Sequence, residues 1–575
     1  EFKLTFEYEG VLPRGQLDYI TKDGILLRDE SRWYPVVDIS AFTGNKIVIG
    51  VPSNWFATTS SSGCSSIGAG LAATYTCETN RPVSSRSIAG FPGKALAFDC
   101  VPSPIQEQGF SRMQPLSACL ARAQKDSPKQ LAKSAHELLQ RFNVALGPFP
   151  VAGLTLLQGF PGHQGAIGYS APGFLVVSED VIKYHDYPGW APEFLPHEIA
   201  HQWFPIEVTL ARSEDGWLAE SLAEYLAWRY LREKEPEQAR RIVQRAMRDA
   251  LAPEPMRPLA LGTRLFNEPW NVAYATLYQR GLLVWRTLET VIDRERVDRA
   301  LREYYKRFAG RSASIADFRK ICEEISGREL GWFFDYFLNA TQIPEISLRR
   351  LPSDAPNVLL GEILVKNVPA DFQVRVEMRV QTEKGAVEHS VATRGEVTPF
   401  SLNLPAPATQ VMLDPDARLL RWTEAARRNR EQLKSLQQMN DLADRDQFRD
   451  AAAVGARALV LDAEDLAANH QHIHFLMGRM YFLAGKLAEA RKEFARALEL
   501  ASLDAMDTDF YRAWAHVYRA RIAKRLGQTA AAQKEARTGF ASNSPAMEII
   551  VSWNEAPDYE RSAGQELRKL AAAPK

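Results

Sequence analysis

The 575-residue sequence lacks several features that would place it in a specialised class of protein. Its 70 basic residues balance its 70 acidic residues, and no long run carries one sign. Nothing therefore indicates a nucleic-acid partner or a membrane-surface patch. No stretch approaches the roughly 20 consecutive apolar residues that a membrane span needs. The remaining composition, 46% hydrophobic and 24% charged, is typical of folded protein, and the length predicts several domains.

Cysteine is scarce and unevenly placed. Cys64, Cys77, Cys100 and Cys119 lie near the start of the chain, without a C-x-x-C pair or a nearby histidine, which disfavours a zinc site. We predict two disulfides, Cys64–Cys77 and Cys100–Cys119; the alternative is four unrelated buried thiols. Disulfides imply export, to a periplasm, to the medium or as a membrane-tethered ectodomain. The chain begins at Glu1 rather than methionine, as expected either of a mature form whose targeting segment has been removed or of a truncated form.

Sequence patterns divide the chain into four predicted domains. Residues 1–122 are rich in β-branched and aromatic residues between turn residues, which predicts strands. Residues 123–340 begin with a predicted helix that starts at Ser127-Pro128 and ends at Gly147-Pro148. Two predicted strands follow, Gly153–Leu157 and Phe174–Ser178, and then mainly helical sequence. Residues 341–421 alternate as in a small β-sandwich, and residues 422–575 have a helical composition with almost no proline until near the end. The predicted fold class is multidomain α+β.

The helical tail is internally repetitive. The segment Ala456-Arg-Ala-Leu recurs at Ala495, 39 residues further on. This spacing predicts stacked antiparallel helix pairs that look like tetratricopeptide repeats; the alternative is an irregular bundle of Ala-rich helices. Such a region is expected either to cover the catalytic part or to bind a protein partner through residues 422–575.

The segment His197-Glu198-Ile-Ala-His201 carries the pattern H-E-x-x-H. Residues four apart share one face of a helix, so both imidazoles can bind the same ion. Glu220 follows after an eighteen-residue gap, on a second predicted helix for which Asp215 is available as N-cap. Two histidines and a glutamate are the ligand set of hydrolytic zinc. We therefore predict one zinc ion per chain; the alternative is a helix whose histidines are merely packed.

Two further residues complete the predicted catalytic group. Glu198 lies in the same helical turn as the two histidines and can accept the proton of the attacking water. A donor is also needed where the oxyanion develops. Tyr278, in Tyr-Gln-Arg-Gly on a predicted helix, is the candidate, and Tyr274, one turn earlier, is its rival.

Four segments together resemble a known family: HEIAHQWF, the eighteen-residue gap, WLAESLAEY and YQRG. They resemble the aminopeptidase N and leukotriene-A hydrolase family of gluzincin metallopeptidases, over roughly residues 1–421. The resemblance implies a saddle-like N-terminal domain, a thermolysin-like catalytic domain and a small β-sandwich. It also implies three zinc ligands, a general base and a tyrosine that stabilises the tetrahedral intermediate. The residues that match these roles are His197, His201, Glu220, Glu198 and Tyr278.

The sequence departs from that family at the expected substrate-binding residues. Family aminopeptidases carry G-x-M-E-N, whose glutamate binds the free α-amine of the substrate. The matching segment is Gly165-Ala166-Ile167-Gly168-Tyr169, with Gly168 in place of that glutamate, and Arg280 replaces a lysine of Y-x-K-G. The candidates for a replacement carboxylate are Glu179, Asp180 and Glu224.

The favoured function is a zinc metallopeptidase that hydrolyses peptides, with aminopeptidase as the first specificity. An endopeptidase, or a peptidase that anchors its substrate differently, is the alternative that Gly168 motivates. A second alternative is a zinc-binding scaffold that acts through its C-terminal repeats.

Overall fold

The computed structural model describes residues 127–150 and most of residues 192–572 continuously, and shorter segments before them. The described residues are 7, 9, 18–21, 24–28, 33, 45–59, 64–79, 87–92, 98–102, 116–121, 127–150, 154–158, 168–178, 181, 192–542, 544–552 and 560–572.

The N-terminal region is β-rich, as predicted. Seven strands form a four-stranded sheet in the order β1-β2-β7-β4 and a three-stranded sheet in the order β3-β6-β5. The strands are β1 (Tyr19–Thr21), β2 (Gly24–Leu27), β3 (Asn45–Pro52), β4 (Trp55–Thr59), β5 (Cys64–Ala69), β6 (Ala72–Thr79) and β7 (Ile88–Pro92). A disulfide joins Cys64 to Cys77 across β5 and β6, which confirms the first predicted pair.

A five-stranded sheet in the order β11-β12-β10-β9-β8 follows. Its strands are β8 (Phe98–Pro102), β9 (Leu116–Ala121), β10 (Leu154–Gln158), β11 (Gly168–Ala171) and β12 (Phe174–Val177). Cys100 and Cys119 are backbone partners in the β8–β9 register. Their side chains lie outside the described part of the chain, so the second disulfide stays a prediction.

The two faces of this sheet pack against different neighbours because successive side chains of a strand point to opposite sides. Leu156 and Leu175 belong to the core that contains helix α1 (Ser127–Leu146), which has the predicted bounds. Leu157 and Phe174 instead pack with residues of the N-terminal sheet. Strand β11 forms the edge of the sheet and lies beside the helix that carries the H-E-x-x-H residues.

A mainly helical lobe follows, over residues 194–334. Its helices are α2 (Phe194–Ala200), α3 (Glu220–Lys234), α4 (Pro236–Asp249), α5 (Trp270–Ala273), α6 (Gly281–Ile292), α7 (Arg294–Phe308), α8 (Ile315–Ser326) and α9 (Gly331–Phe334). Two short strands, β13 (Val208–Leu210) and β14 (Arg311–Ala313), pair in parallel. The rings of Trp217 and Trp285 stack with centroids 4.1 Å apart in the centre of this lobe, and both are fully buried.

Two three-stranded sheets follow, in the orders β15-β16-β19 and β18-β17-β20. Their strands are β15 (Glu345–Leu351), β16 (Val358–Lys366), β17 (Arg375–Thr382), β18 (Gly385–Ala392), β19 (Val397–Asn403) and β20 (Ala408–Leu413). Inward residues of both sheets, such as Ile363 and Val376, belong to the same continuous core as the helical lobe.

The C-terminal region is helical and has a separate core. Its helices are α10 (Glu424–Ala443), α11 (Phe448–Leu461), α12 (His470–Leu483), α13 (Leu487–Glu499), α14 (Ala505–Arg525), α15 (Thr529–Phe540) and α16 (Ala563–Ala571), with a short hairpin of β21 (Ile550–Ser552) and β22 (Glu560–Ser562). Among the described residues, no helix is both long and apolar enough to cross a membrane.

Side-chain contacts in this region repeat at an interval of 42 residues. His474 Nδ1 lies 2.6 Å from a carboxylate oxygen of Glu493, and His516 Nδ1 lies 2.7 Å from one of Glu535. These contacts are consistent with internal repetition; the likeness to tetratricopeptide repeats stays a prediction.

Candidate active site

The predicted metal ligands come together at the junction of α2 and α3. His197 lies in α2, His201 directly follows it, and Glu220 is the first residue of α3. The two histidine Nε2 atoms are 3.0 Å apart. Glu220 Oε2 lies 3.4 Å from Nε2 of His197 and 3.5 Å from Nε2 of His201. Three potential ligand atoms therefore surround one point, and this group could hold a metal ion.

The chain leaves helical geometry three residues after the second histidine. Pro196, the third residue of α2, is tolerated there because the first turn of a helix needs no backbone N–H donors. At Phe204 the backbone is extended, with φ −140° and ψ 112°. Its carbonyl oxygen accepts a hydrogen bond of 2.9 Å from Nδ1 of His201. This contact fixes the tautomer of His201 so that Nε2 is left for a metal.

Glu224 lies beside the other histidine, His197. It lies one helical turn after Glu220, is buried, and places Oε1 3.7 Å from Nδ1 of His197. Burial raises the pKa of Glu224 to about 7, although the nearby His197 acts in the opposite direction. A carboxylate in this position orients a ligand histidine, so the contact favours a metal-supporting role over the amine-binding role considered for Glu224. The other two candidates, Glu179 and Asp180, lie outside the described residues.

The electrostatics of the site favour a bound cation. Burial by itself lowers the pKa of His201, but the charge and hydrogen bond of Glu220 outweigh it and raise the pKa to about 9. Conversely, the histidines hold the pKa of Glu220 well below its usual value despite its burial. Each shift shows that the pocket stabilises positive charge beside a buried carboxylate. Two imidazole nitrogens and one carboxylate oxygen fit zinc, which takes N and O ligands and leaves a further position open in hydrolases.

Ser170 is a residue of the site that sequence reasoning missed. Its Oγ contacts the carboxylate of Glu198 and lies 2.9 Å from the backbone oxygen of the same residue. Ser170 lies on β11, 28 positions before Glu198. Nothing in the sequence distinguishes it from an ordinary strand serine, because only the docking of α2 against β11 creates the contact.

The two candidate tyrosines differ in their contacts with the potential metal ligands. The ring of Tyr278 stacks on the ring of His197, with centroids 5.8 Å apart and planes 18° from parallel. Burial, followed by the charge and hydrogen bond of Glu220, raises the pKa of Tyr278 well above its usual value, so its hydroxyl stays protonated. Tyr274 instead contacts the rings of Tyr278 and Trp270 at tilted angles, with centroids 5.2 and 5.8 Å away. The geometry therefore favours Tyr278 as the hydrogen-bond donor.

Comparison with known proteins agrees with this geometry. Residues 183–337 match the peptidase family M1 domain. The matched segment contains His197, Glu198, His201, Glu220 and Tyr278.

Several aminopeptidases are similar to part of the chain. Glutamyl aminopeptidase of Sus scrofa is 27% identical over 164 residues, which cover 26% of this chain and 17% of the relative. Aminopeptidase 2, mitochondrial, of Saccharomyces cerevisiae is 24% identical over 161 residues, which cover 27% of this chain and 17% of the relative. Probable aminopeptidase 1 of Sulfurisphaera tokodaii is 25% identical over 159 residues, 27% of this chain and 20% of the relative. The match thus spans about a fifth or less of each relative's length.

Part of the expected substrate-binding segment lies on strand β11, where a neighbouring aromatic ring limits the space. A Cβ atom added at Gly168 would lie 2.3 Å from Cζ of Phe194 and 3.1 Å from the carbonyl oxygen of Val176. The aromatic ring of Phe194, at the start of α2, therefore occupies the space beside Gly168. No glutamate can take this position unless that ring moves. Gly165, Ala166 and Ile167 lie outside the described residues.

The other two predicted substrate-binding residues point away from the ligands. Tyr169 lies between Gly168 and Ser170 on β11, so its side chain takes the opposite face of the strand. Its hydroxyl lies 2.8 Å from Oγ of Ser87 in the N-terminal region. Arg280 is buried, and its guanidinium donates to the backbone oxygen of Arg257. Burial lowers the pKa of Arg280 to about 10.

The close packing at Gly168 leads to a stability prediction. Gly168→Ala should lower the free energy of unfolding by about 1–3 kcal/mol, because the added methyl group overlaps the Phe194 ring. Chemical denaturation followed by circular dichroism measures this loss. Gly50→Ala is the matched control, since a Cβ at this strand glycine meets nothing within 4 Å. The loss should shrink in a Phe194→Val background; an unchanged stability of Gly168→Ala would contradict the packing described.

Proposed function

We propose that this protein is a zinc-dependent metallopeptidase, with aminopeptidase action as its first specificity. The observation that carries the proposal is the meeting of His197, His201 and Glu220 at one point, beside Glu198 and Tyr278. The M1 domain and the aminopeptidase names of the similar proteins support it.

The residues of the site suit the hydrolysis of a peptide bond. When bound, zinc supplies a Lewis acid that polarises a carbonyl group and makes water a better nucleophile. Glu198 accepts the proton of the attacking water and delivers it to the leaving amine. Ser170 holds the Glu198 carboxylate in place through its hydroxyl group. The Tyr278 hydroxyl, kept protonated, donates a hydrogen bond to the oxyanion that forms at the scissile carbonyl.

The finer fold assignment rests on the same resemblance. We propose a saddle-like domain over residues 1–122, a thermolysin-like domain over 123–340, a small β-sandwich over 341–421 and a tetratricopeptide-like domain over 422–575. The two three-stranded sheets and the consecutive C-terminal helices support the last two assignments. The Cys64–Cys77 disulfide supports an exported location, since such bonds persist in oxidising compartments.

A second specificity has its own structural support. Phe194 fills the space beside Gly168, where the family's amine-binding glutamate is expected. Without that carboxylate, a free α-amine adds little to substrate binding, because its contribution depends on an ion pair in a desolvated pocket. An endopeptidase, or a peptidase that anchors another part of its substrate, is therefore the alternative.

Hydrolysis of matched peptides tests the proposal and separates the two specificities. We expect a mixture of free and N-acetylated peptides to be cleaved by the zinc-loaded protein, with loss of cleavage on chelation and recovery on adding zinc. Mass spectrometry identifies the products. Removal of single residues from free N-termini alone would establish an aminopeptidase, whereas internal cleavage or equal rates on acetylated peptides would establish the alternative. Absence of cleavage by the zinc-loaded protein would contradict both.

A further inference from the structure

A large chamber separates the helical lobe of the M1 domain from the C-terminal helices. Its volume is about 1020 Å³, and α4, α5, α10, α12 and α14 contribute to its walls. It borders the candidate active site, because Pro192 and Glu193 in its wall directly precede α2. Tyr274 also lines it and contacts the ring of Tyr278, which in turn stacks on His197. A peptide cleaved at the metal ligands would therefore have this chamber as the neighbouring space.

Acidic side chains outnumber basic ones in the chamber wall. Six carboxylates and two arginines line it. Five of the six carboxylates have a cationic partner: Glu193 and Asp504 pair with Arg245, Asp249 with Arg248, Glu254 with Lys434, and Glu548 with Arg568.

The sixth carboxylate, Asp507, forms no such close ion pair, although the nearby Arg248 and Arg245 attract it electrostatically. It lies in the first turn of α14, is exposed to the chamber, and forms no ion pair or side-chain hydrogen bond with another described residue. Water in the chamber reaches Asp507, but protein surrounds it on most sides. This desolvation, followed by the charge of Asp504, raises the pKa of its carboxyl to about 6 against the opposing charges of Arg248 and Arg245, so it is mostly ionised at neutral pH.

Aromatic surfaces lie beside this carboxylate in the chamber wall. The ring of Tyr511, one helical turn after Asp507, stacks on the ring of His472 with centroids 4.8 Å apart. Burial, followed by the charge of Arg248, lowers the pKa of His472 to about 4, so this imidazole adds no positive charge at neutral pH. Carboxylates combined with aromatic faces are suited to ammonium and guanidinium groups, which both attract.

We propose that the chamber binds a cationic side chain of the substrate, the ammonium of lysine or the guanidinium of arginine, at Asp507 beside the Tyr511 ring. The inference rests on the proposed peptidase function and specifies its substrate class. An acidic substrate side chain is disfavoured in the same position, because it would lie next to an ionised carboxylate in a wall with surplus negative charge. The C-terminal helices would thus take part in substrate selection.

Paired peptides test this specificity. Each pair of unblocked hexapeptides differs at one position, lysine against glutamine, and the position is moved along the peptide. At one position or more we expect the wild-type kcat/KM for the lysine member to exceed that for the glutamine member about fivefold, the contribution of one partly exposed ion pair. Asp507→Asn should bring that ratio close to one. Glu489→Gln also replaces a carboxylate with an amide, but on the exposed surface of α13, and should keep the wild-type ratio.

A binding measurement separates this inference from the proposed peptidase function. Fluorescence anisotropy with a labelled lysine-containing hexapeptide and its glutamine counterpart reports preference even if no peptide is cleaved. The chamber site would be supported if the wild type bound the lysine peptide more tightly than the glutamine peptide and Asp507→Asn abolished this difference. This conclusion would hold whatever the outcome for hydrolysis. A wild-type protein without lysine preference in either assay, or an Asp507→Asn variant that keeps the preference, would overturn it.

Discussion

Replacing Glu198 by glutamine should reduce kcat/KM for peptide hydrolysis by about two to four orders of magnitude, the usual contribution of a general base. Glutamine has the same shape as glutamate and can keep the contact with Ser170, but its amide cannot accept the proton of the attacking water. Because Glu198 is not one of the three metal ligands, zinc binding should persist. The loss should therefore appear mainly in kcat.

The measurement compares steady-state kinetics of wild type and Glu198→Gln on one peptide substrate. Zinc content by atomic emission and the thermal midpoint should match the wild type, which excludes metal loss and unfolding as the cause. Glu489→Gln provides the same chemical change far from the ligands and should show wild-type kinetics. If Glu198→Gln retained more than about a tenth of the wild-type rate, Glu198 would not be the general base.

Replacing Tyr278 by phenylalanine should lower kcat by about two to three orders of magnitude, the typical effect of removing one oxyanion donor. The substitution keeps the ring that stacks on His197 and removes only the hydroxyl group. The effect should fall on kcat more than on KM, because the oxyanion develops only as the reaction proceeds. Zinc content needs to be measured here too, since the same hydroxyl interacts with Glu220.

Tyr274→Phe is the matched comparison for this variant. Tyr274 is a neighbour one turn away on the same segment, and its ring contacts Tyr278 and Trp270. Its substitution should cost less than tenfold in kcat, well below the loss expected at Tyr278. A larger loss at Tyr274 than at Tyr278 would reverse the assignment of the oxyanion donor.

Local sequence patterns were sufficient for elements such as the first helix and for the residues that could hold a metal. The predicted helix begins at Ser127 and ends just before Gly147, where proline and glycine mark its limits. The spacing of H-E-x-x-H identified two side chains on one helix face, and both face Glu220 in the structure. The pairing of Cys64 with Cys77 was also predicted, on the assumption that neighbouring cysteines pair, and the β5–β6 hairpin places the two residues opposite each other. In each case the pattern spans a few turns or one hairpin.

Contacts between distant segments could not be predicted in the same way. Asp215 was expected to cap the helix that carries Glu220, but its carboxylate accepts a hydrogen bond from the backbone N–H of Ile315, 100 positions later. Helix α3 instead begins after Ala219 without a side-chain cap. A capping side chain can bind the N-terminus of any helix that the fold places beside it, whereas the sequence pattern indicates only the helix that is nearest along the chain.

The sequence by itself determined which side chains could hold a metal and where their helix lies, because helical periodicity fixes the relation of residues four apart. Only the tertiary structure decided what surrounds them. The docking of α2 on β11 brings Ser170 to Glu198 and fills the space at Gly168 with Phe194. The packing of the C-terminal helices over α4 leaves Asp507 facing the chamber. These contacts join residues 26 to hundreds of positions apart, and such proximity depends on how whole elements pack rather than on local propensity.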